Sequence, residues 1–136
     1  MQNLNFDNGL KTYMINDDEN CFIQFNPTDF GFLERLEKTV DEISKIYENY
    51  KINKDKSPIS TMAECDKMIR EKINYVFNGD ITTAAFGKTN CLSLSNGNPI
   101  FQNFFSALIP IVKNDIIAES RKAQKNIDKY TSQITK

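Results

Sequence analysis

NPIFQNFFSALIPIVKNDIIAESRKAQKNIDKY, residues 98–130, is the stretch around which the rest of the chain organises. Asn98-Pro99 reads as a helix cap followed by proline at the first helical position, where a missing N–H costs nothing. Ile100, Phe101, Phe104, Phe105, Leu108, Ile109, Ile111, Val112, Ile116 and Ile117 follow, apolar on nearly every side, which predicts a helix buried almost all round. Past Ile117 the apolar residues thin to one stripe, Ala123, Ile127 and Tyr130, among lysines and polar side chains. One helix over 99–130 is therefore expected to start inside a globular domain of residues 1–118 and to leave it as a basic amphipathic arm over 119–136. Pro110 inside it removes one backbone hydrogen bond and predicts a bend near Ser106–Leu108.

Upstream, residues 2–25 alternate as short strands do. Leu4 and Phe6 lead into Asp7-Asn8-Gly9, a tight-turn signal, and Asn16 to Asn20 forms a second polar turn before Cys21, Ile23 and Phe25. This predicts a small antiparallel meander of two or three strands, too short to stand without helices on one face. Thr28 or Asp29 can cap a helix over 29–50, where Leu33, Leu36, Val40, Ile43, Tyr47 and Tyr50 follow at spacings of three and four. That seam suits either a neighbouring helix of the same domain or a second copy. Ser57-Pro58 opens a helix over 58–77, with Met62, Cys65, Ile69, Ile73, Val76 and Phe77 on one face, Asp66, Arg70 and Glu71 on the other, and Asn78-Gly79 as its stop. Asp80 recaps a short helix over 81–86, closed by Gly87, and 88–97 reads as an irregular loop pinned by Leu92 and Leu94. The fold class is α+β, mostly α: a small meander on three main helices and one short one, the last helix long and kinked at Pro110.

At 136 residues the length suits one domain, and 40% hydrophobic with 26% charged residues is ordinary for a soluble protein. A net charge of −1 argues against nucleic acid as the main partner. The sum hides an asymmetry: residues 1–50 hold four Lys/Arg against ten Asp/Glu, and residues 113–136 hold six against three. Such an acidic head and basic tail can be two solvated faces, or can meet between copies. Cys21, Cys65 and Cys91 are too few and too scattered for a disulfide framework or a zinc site, and suit a reducing cytoplasm. No secretory leader and no apolar run of spanning length is seen, so no membrane partner is expected.

The residues carry no readable reaction chemistry. With no histidine, neither a Ser-His-Asp nor a Cys-His arrangement can be built, and the commonest general base is gone. Gly87-Lys88-Thr89 resembles the end of a phosphate loop, but Thr82 stands where that motif needs its first glycine. Asp17-Asp18-Glu19 lacks the alternate spacing of a calcium loop. No catalytic, cofactor-binding or metal-binding residue is therefore assigned.

The order of features is similar to a known pattern. A short sheet ends in Phe25-Asn26-Pro27-Thr28-Asp29-Phe30 and enters a helix with Arg35-Leu36; a second helix carries Asp66-Lys67-Met68-Ile69-Arg70-Glu71-Lys72-Ile73; then come Val76-Phe77, Phe86-Gly87-Lys88-Thr89-Asn90 and a closing helix from Asn98-Pro99-Ile100-Phe101. Over roughly residues 4–130 this layout resembles the tail-assembly chaperones of siphophages and prophages of Gram-positive bacteria. The resemblance implies a non-enzymatic protein of the bacterial cytoplasm that binds the helical tape-measure protein and keeps it soluble until tail-tube subunits assemble around it. It fixes no binding residue. The seam residues Tyr47 and Tyr50 and the arm residues Ala123, Ile127 and Tyr130 are the candidate contacts, since spare apolar helix faces can cover a helical client. A structural tail component forming a homo-oligomeric ring, and an enzyme using the Gly87–Gly97 loop with carboxylates, are the alternatives.

Overall fold

A computed structural model describes residues 1–53 and 57–134, with side chains as far as Lys129. Its elements are β1 (Lys11–Ile15), β2 (Asp18–Phe25), α1 (Phe30–Asn53), α2 (Pro58–Phe77), α3 (Thr82–Phe86), β3 (Leu94–Ser95), β4 (Asn98–Pro99) and α4 (Ile100–Ile134). The class is α+β and mostly α, with an antiparallel hairpin ahead of the helices.

The N-terminal sheet is a two-stranded antiparallel hairpin, the smaller of the two sizes the sequence allows. β1 and β2 pair through Tyr13↔Ile23 and Met14↔Phe22 around Asn16-Asp17, both at positive φ, the geometry of a two-residue hairpin turn. Residues 2–10 join no sheet, and Leu4 and Phe6 stay exposed. Asp7-Asn8-Gly9 does turn, through Asp7 Oδ1 accepting from Gly9 N–H (2.9 Å) and Asn8 Oδ1 from Leu10 N–H (3.0 Å), but it closes no hairpin. Alternation puts Tyr13, Ile15, Ile23 and Phe25 toward the core.

Phe25 starts the aromatic cluster that ties the hairpin to the helices. It stacks on Tyr13 and Phe32, each at 4.9 Å, and meets Phe77 edge-on at 5.3 Å. Phe77 then approaches Phe104, which also meets Phe86. Aromatic pairs in these offset and edge geometries add to the gain from burial alone.

α1 begins where Asp29 Oδ1 accepts from Gly31 N–H (2.9 Å). Its seam is used inside the domain. Leu36 and Ile43 are buried, Leu33, Val40, Tyr47 and Tyr50 are half-buried against the core, and α2 is the main packing partner. On α2, Cys65, Ile69, Ile73 and Val76 are buried on one face, as their spacing requires. Pro58 opens α2, while Ser57 makes no side-chain cap bond. At the far end Asn78, and not Gly79, takes the left-handed conformation, at φ 56° and ψ 34°. The Arg35 Nε–H reaches across from α1 to the freed Val76 carbonyl (3.0 Å).

The long helix departs from expectation at its start and on its faces. Asn98 and Pro99 form β4, paired with β3 around Asn96-Gly97 (φ 55° and 78°), and helix begins only at Ile100. Loop carbonyls replace a side-chain cap: Ser93 O accepts from Ile100 N–H (2.8 Å) and Cys91 O from Phe101 N–H (3.0 Å). Nor is α4 buried all round. Phe101, Phe105, Leu108 and Val112 form one buried stripe, whereas Ile111 is 38% and Ile117 50% exposed. The hairpin and α1 cover only part of its circumference. Leu92 is buried as a pin should be, but Leu94, paired with Pro99 at the open end of the β3–β4 hairpin, is 69% exposed. The helix continues through Pro110.

Candidate functional site

Three features of the surface could do chemistry or binding: a polar node between α2 and the 87–99 segment, two apolar depressions beside α4, and the outer part of α4.

The polar node is built on Asp66 and Arg70, one turn apart on α2, at 3.1 Å. An exposed i,i+4 pair of this kind contributes only a few tenths of a kcal/mol. Here both side chains are half-buried and hold backbone. Asp66 Oδ1 accepts from Cys91 N–H (2.7 Å), and Arg70 Nη2 donates to the Thr89 carbonyl (2.6 Å). Burial pushes the Asp66 carboxyl upward, but the Cys91 amide and thiol and the Arg70 guanidinium together hold it below the usual carboxylate range. Burial, with Asp66 beside it, pushes the Cys65 thiol up to about 11, and burial with the Asp66 hydrogen bond raises Cys91 as well. Both thiols are protonated near neutral pH and poor nucleophiles. The node anchors a loop.

Neighbouring polar groups act the same way. Asn74 Oδ1 accepts from Ile81 N–H (2.9 Å) and Thr82 N–H (3.0 Å), Asp80 Oδ1 accepts from Thr83 N–H (3.2 Å), and Asn90 Nδ2 donates to the Met62 carbonyl (3.1 Å). Gly87, at φ 58°, ends α3, and Thr89 gives its carbonyl to Arg70, so Gly87-Lys88-Thr89 is a helix stop and an anchor point. Asp17 sits in the β1–β2 turn, and Asp18 caps Asn20 N–H (2.9 Å). Among the described residues no three His, Cys, Asp or Glu side chains cluster as metal ligands would.

Two depressions flank α4. A cavity of about 240 Å³ lies between the hairpin, α3 and α4, lined by Ile15, Phe25, Phe86, Phe104 and Ile111, with Asn16 and Asn103 as polar lining. A wider groove of about 610 Å³ runs between α1 and α4 past Val40, Tyr47, Phe105, Ile109 and Pro110. Only Glu48 and Lys51 among its lining residues are charged, and they pair with each other at 2.9 Å.

The outer part of α4 is the third feature. Contact with the body ends where Asp115 accepts from the Tyr13 hydroxyl (2.7 Å), meets Lys11 Nζ at 3.3 Å, and Glu119 lies 3.9 Å from the same ammonium. Burial, then the Asp115 hydrogen bond and charge, raises the Tyr13 phenol well above its ordinary range, so it stays a donor. From Ser120 to Lys129 every residue is exposed.

The candidate contact residues fall into two separated groups. Tyr47 stacks with Tyr50 (5.9 Å), meets Phe101 edge-on (5.4 Å) and carries Lys51 Nζ over its ring at 5.2 Å, so both tyrosines are half-committed to the core. Ala123 and Ile127 are exposed, Ile127 at 57%, and the side chain of Tyr130 lies outside the described residues. Twenty-two residues of helix separate Phe101 from Ala123, about 33 Å at 1.5 Å per residue, so the arm and the tyrosines do not form one site. The groove between α1 and α4 is not legible in the sequence, because the half-apolar spacing of Val40, Tyr47 and Ile109 suits packing inside the domain equally well. Compared with protein-family models, curated proteins and solved structures, the chain matches none.

Proposed function

We propose that the chain is a tail-assembly chaperone of the siphophage type, or a related morphogenesis factor, that acts in the bacterial host cytoplasm by binding the helical tape-measure protein and not by catalysis. One observation carries this reading: α4 leaves the body at Glu119 and runs on with Ala123 and Ile127 uncovered. A client helix with apolar stripes can lie along such a face. The groove past Val40, Tyr47 and Ile109 gives a second apolar strip for a long client, within reach of the same helix. No helix among the described residues is long and apolar enough to cross a membrane.

The test is co-expression with a tape-measure protein. The soluble fraction of the client is expected to rise with the wild-type chain, and to rise much less with Ile127→Asp, which removes apolar surface without touching the core. A client equally insoluble with and without the chain ends this reading. A ring-forming tail component is the second reading, favoured by the net −6 of residues 1–50 against the net +3 of residues 113–136. Recovery of the chain in purified virions would select it, because a chaperone leaves before the particle is complete.

A further inference from the structure

Pro110 is the one residue of α4 that the fold does not explain. It stands inside the helix, exposed, where it fills no core space. An interior proline is the least favourable residue a helix can hold. Chains break such local rules mostly at functional positions. Proline has no N–H, so the Ser106 carbonyl, one turn earlier, loses its helical donor. A helical carbonyl points along the axis toward the residue four places on, which puts the open acceptor between Ser106 and Pro110. Both residues line the groove of about 610 Å³ between α1 and α4. Other polar groups of that groove are already committed: Ser44 Oγ donates to the Val40 carbonyl (3.0 Å), and Glu48 pairs with Lys51 (2.9 Å).

We infer that this groove seats one amphipathic helix of the client, whose apolar stripe carries a single side-chain amide, asparagine or glutamine, donating to the Ser106 carbonyl. The inference rests on the reading of a helical client and names its seat. Both walls are helical stripes: Val40, Ile43 and Tyr47 on α1 at spacings of three and four, and Phe101, Phe105 and Ile109 on α4 at spacings of four. From Val40 to Lys51 the α1 wall runs about 16 Å at 1.5 Å per residue, room for about three turns of a docked helix. An extended peptide suits the groove badly, because its own N–H and C=O groups would be buried against walls that offer one open backbone acceptor. A helix satisfies its backbone internally and presents only side chains, at i, i+3, i+4 and i+7. The donor is neutral because Glu48, the one acidic lining residue, is already paired, so a buried ammonium would meet a dipole and no counter-charge.

Fluorescence anisotropy with the purified full chain tests it. The probe is a labelled, hydrocarbon-stapled helical peptide with leucine at i, i+3 and i+7 and glutamine at i+4. A second peptide carries methionine at i+4, of like length but without a donor. Each is titrated with the wild type and with Pro110→Ala, which returns an N–H to the Ser106 carbonyl and keeps the helix. The wild type is expected to bind both peptides, and Pro110→Ala to retain the methionine peptide. The affinity ratio of glutamine peptide to methionine peptide is expected to be about fivefold higher for the wild type than for the variant, as one net hydrogen bond requires. No binding by the wild type overturns the seat. An equal ratio in the two proteins, or loss of both peptides by Pro110→Ala, overturns the role of the Ser106 carbonyl. Co-expression reads the parent proposal separately. A client left insoluble ends the chaperone reading whatever the peptides do, whereas a failed titration beside a solubilised client removes the groove and leaves the arm.

Discussion

Asp66 is the residue whose environment says most about how the chain holds together. Its carboxylate, paired with Arg70, accepts the Cys91 amide, and the Cys91 carbonyl in turn accepts the first buried amide of α4. Hydrogen bonds to charged groups contribute about 1.5–3 kcal/mol each, so Asp66→Ala is expected to cost on the order of 2 kcal/mol in urea unfolding. The pH dependence follows from the sign of the shift. The folded carboxyl titrates below its unfolded value of about 3.9, so its stabilisation is complete above that pH and is lost as pH falls through the lower folded value. The melting temperature of the wild type is expected to fall on acidification below about pH 4, and Asp66→Asn to flatten part of that fall. Spacing alone suggests the Asp66–Arg70 pair, but the anchoring role is invisible in it, because Cys91 and Thr89 lie about twenty residues away.

Gly9 shows the same limit at another position. It sits at φ 78°, and a Cβ there would come within 2.5 Å of Asn26 Nδ2. That Asn26 side chain cannot easily move: it donates to the Asn8 carbonyl (3.1 Å) and accepts from Thr28 N–H (2.9 Å). Gly97 shares the φ of 78° but has open space around it. Gly9→Ala is therefore expected to destabilise more than Gly97→Ala, the latter by about 1 kcal/mol from backbone strain alone. Thermal unfolding of the two variants side by side checks the order.

At the scale of elements, legibility tracks the strength of the end signals. The bounds of α2, Pro58–Phe77, can be read directly because a proline opens it and Asn78-Gly79 closes it. Its buried stripe follows from spacing. The β3–β4 hairpin escapes sequence reading even though Asn96-Gly97 is a favoured turn dipeptide, because strands of two residues carry no alternation to detect. The cap reading of Asn98-Pro99 fails for a related reason: the pair serves a strand edge as well as a helix start, and only the Ser93 and Cys91 carbonyls decide between them. On α4, apolar content overstates burial, because composition does not say how many neighbours are available to cover each face. Pro110 offers a direct test. It is exposed within the helix, so Pro110→Ala removes a helix breaker without opening a core cavity, and is expected to stabilise by about 1–3 kcal/mol in urea unfolding.

For the whole molecule, the division between body and arm is the organising fact. The aromatic cluster from Tyr13 through Phe25, Phe32 and Phe77 to Phe104 binds hairpin and helices together, and no residue from Ser120 to Lys129 belongs to it. Ending the chain after Glu119 is therefore expected to change the unfolding free energy of the body by less than about 0.5 kcal/mol, the scale of ordinary surface changes. The same truncation is expected to abolish client solubilisation in the co-expression assay. A large loss of stability would mean that the arm packs on the body in solution. Sequence patterning shows apolar density dropping after Ile117, close to Ser120, from where exposure is continuous as far as Lys129. It places the candidate tyrosines less well, because the same aromatic spacing serves a core edge and a recognition surface.

Because α4 is one continuous helix from Ile100 to Ile134, what lies inside and what sticks out belong to the same hydrogen-bonded element. The projecting piece from Ser120 to Ile134 spans about 22 Å at 1.5 Å per residue. Anything that grips its tip is held at a set distance and angle from the hairpin and α1. If the proposed client is bound there, successive copies along it would stand at intervals set by the length of this helix, which a loose tether of equal length could not define.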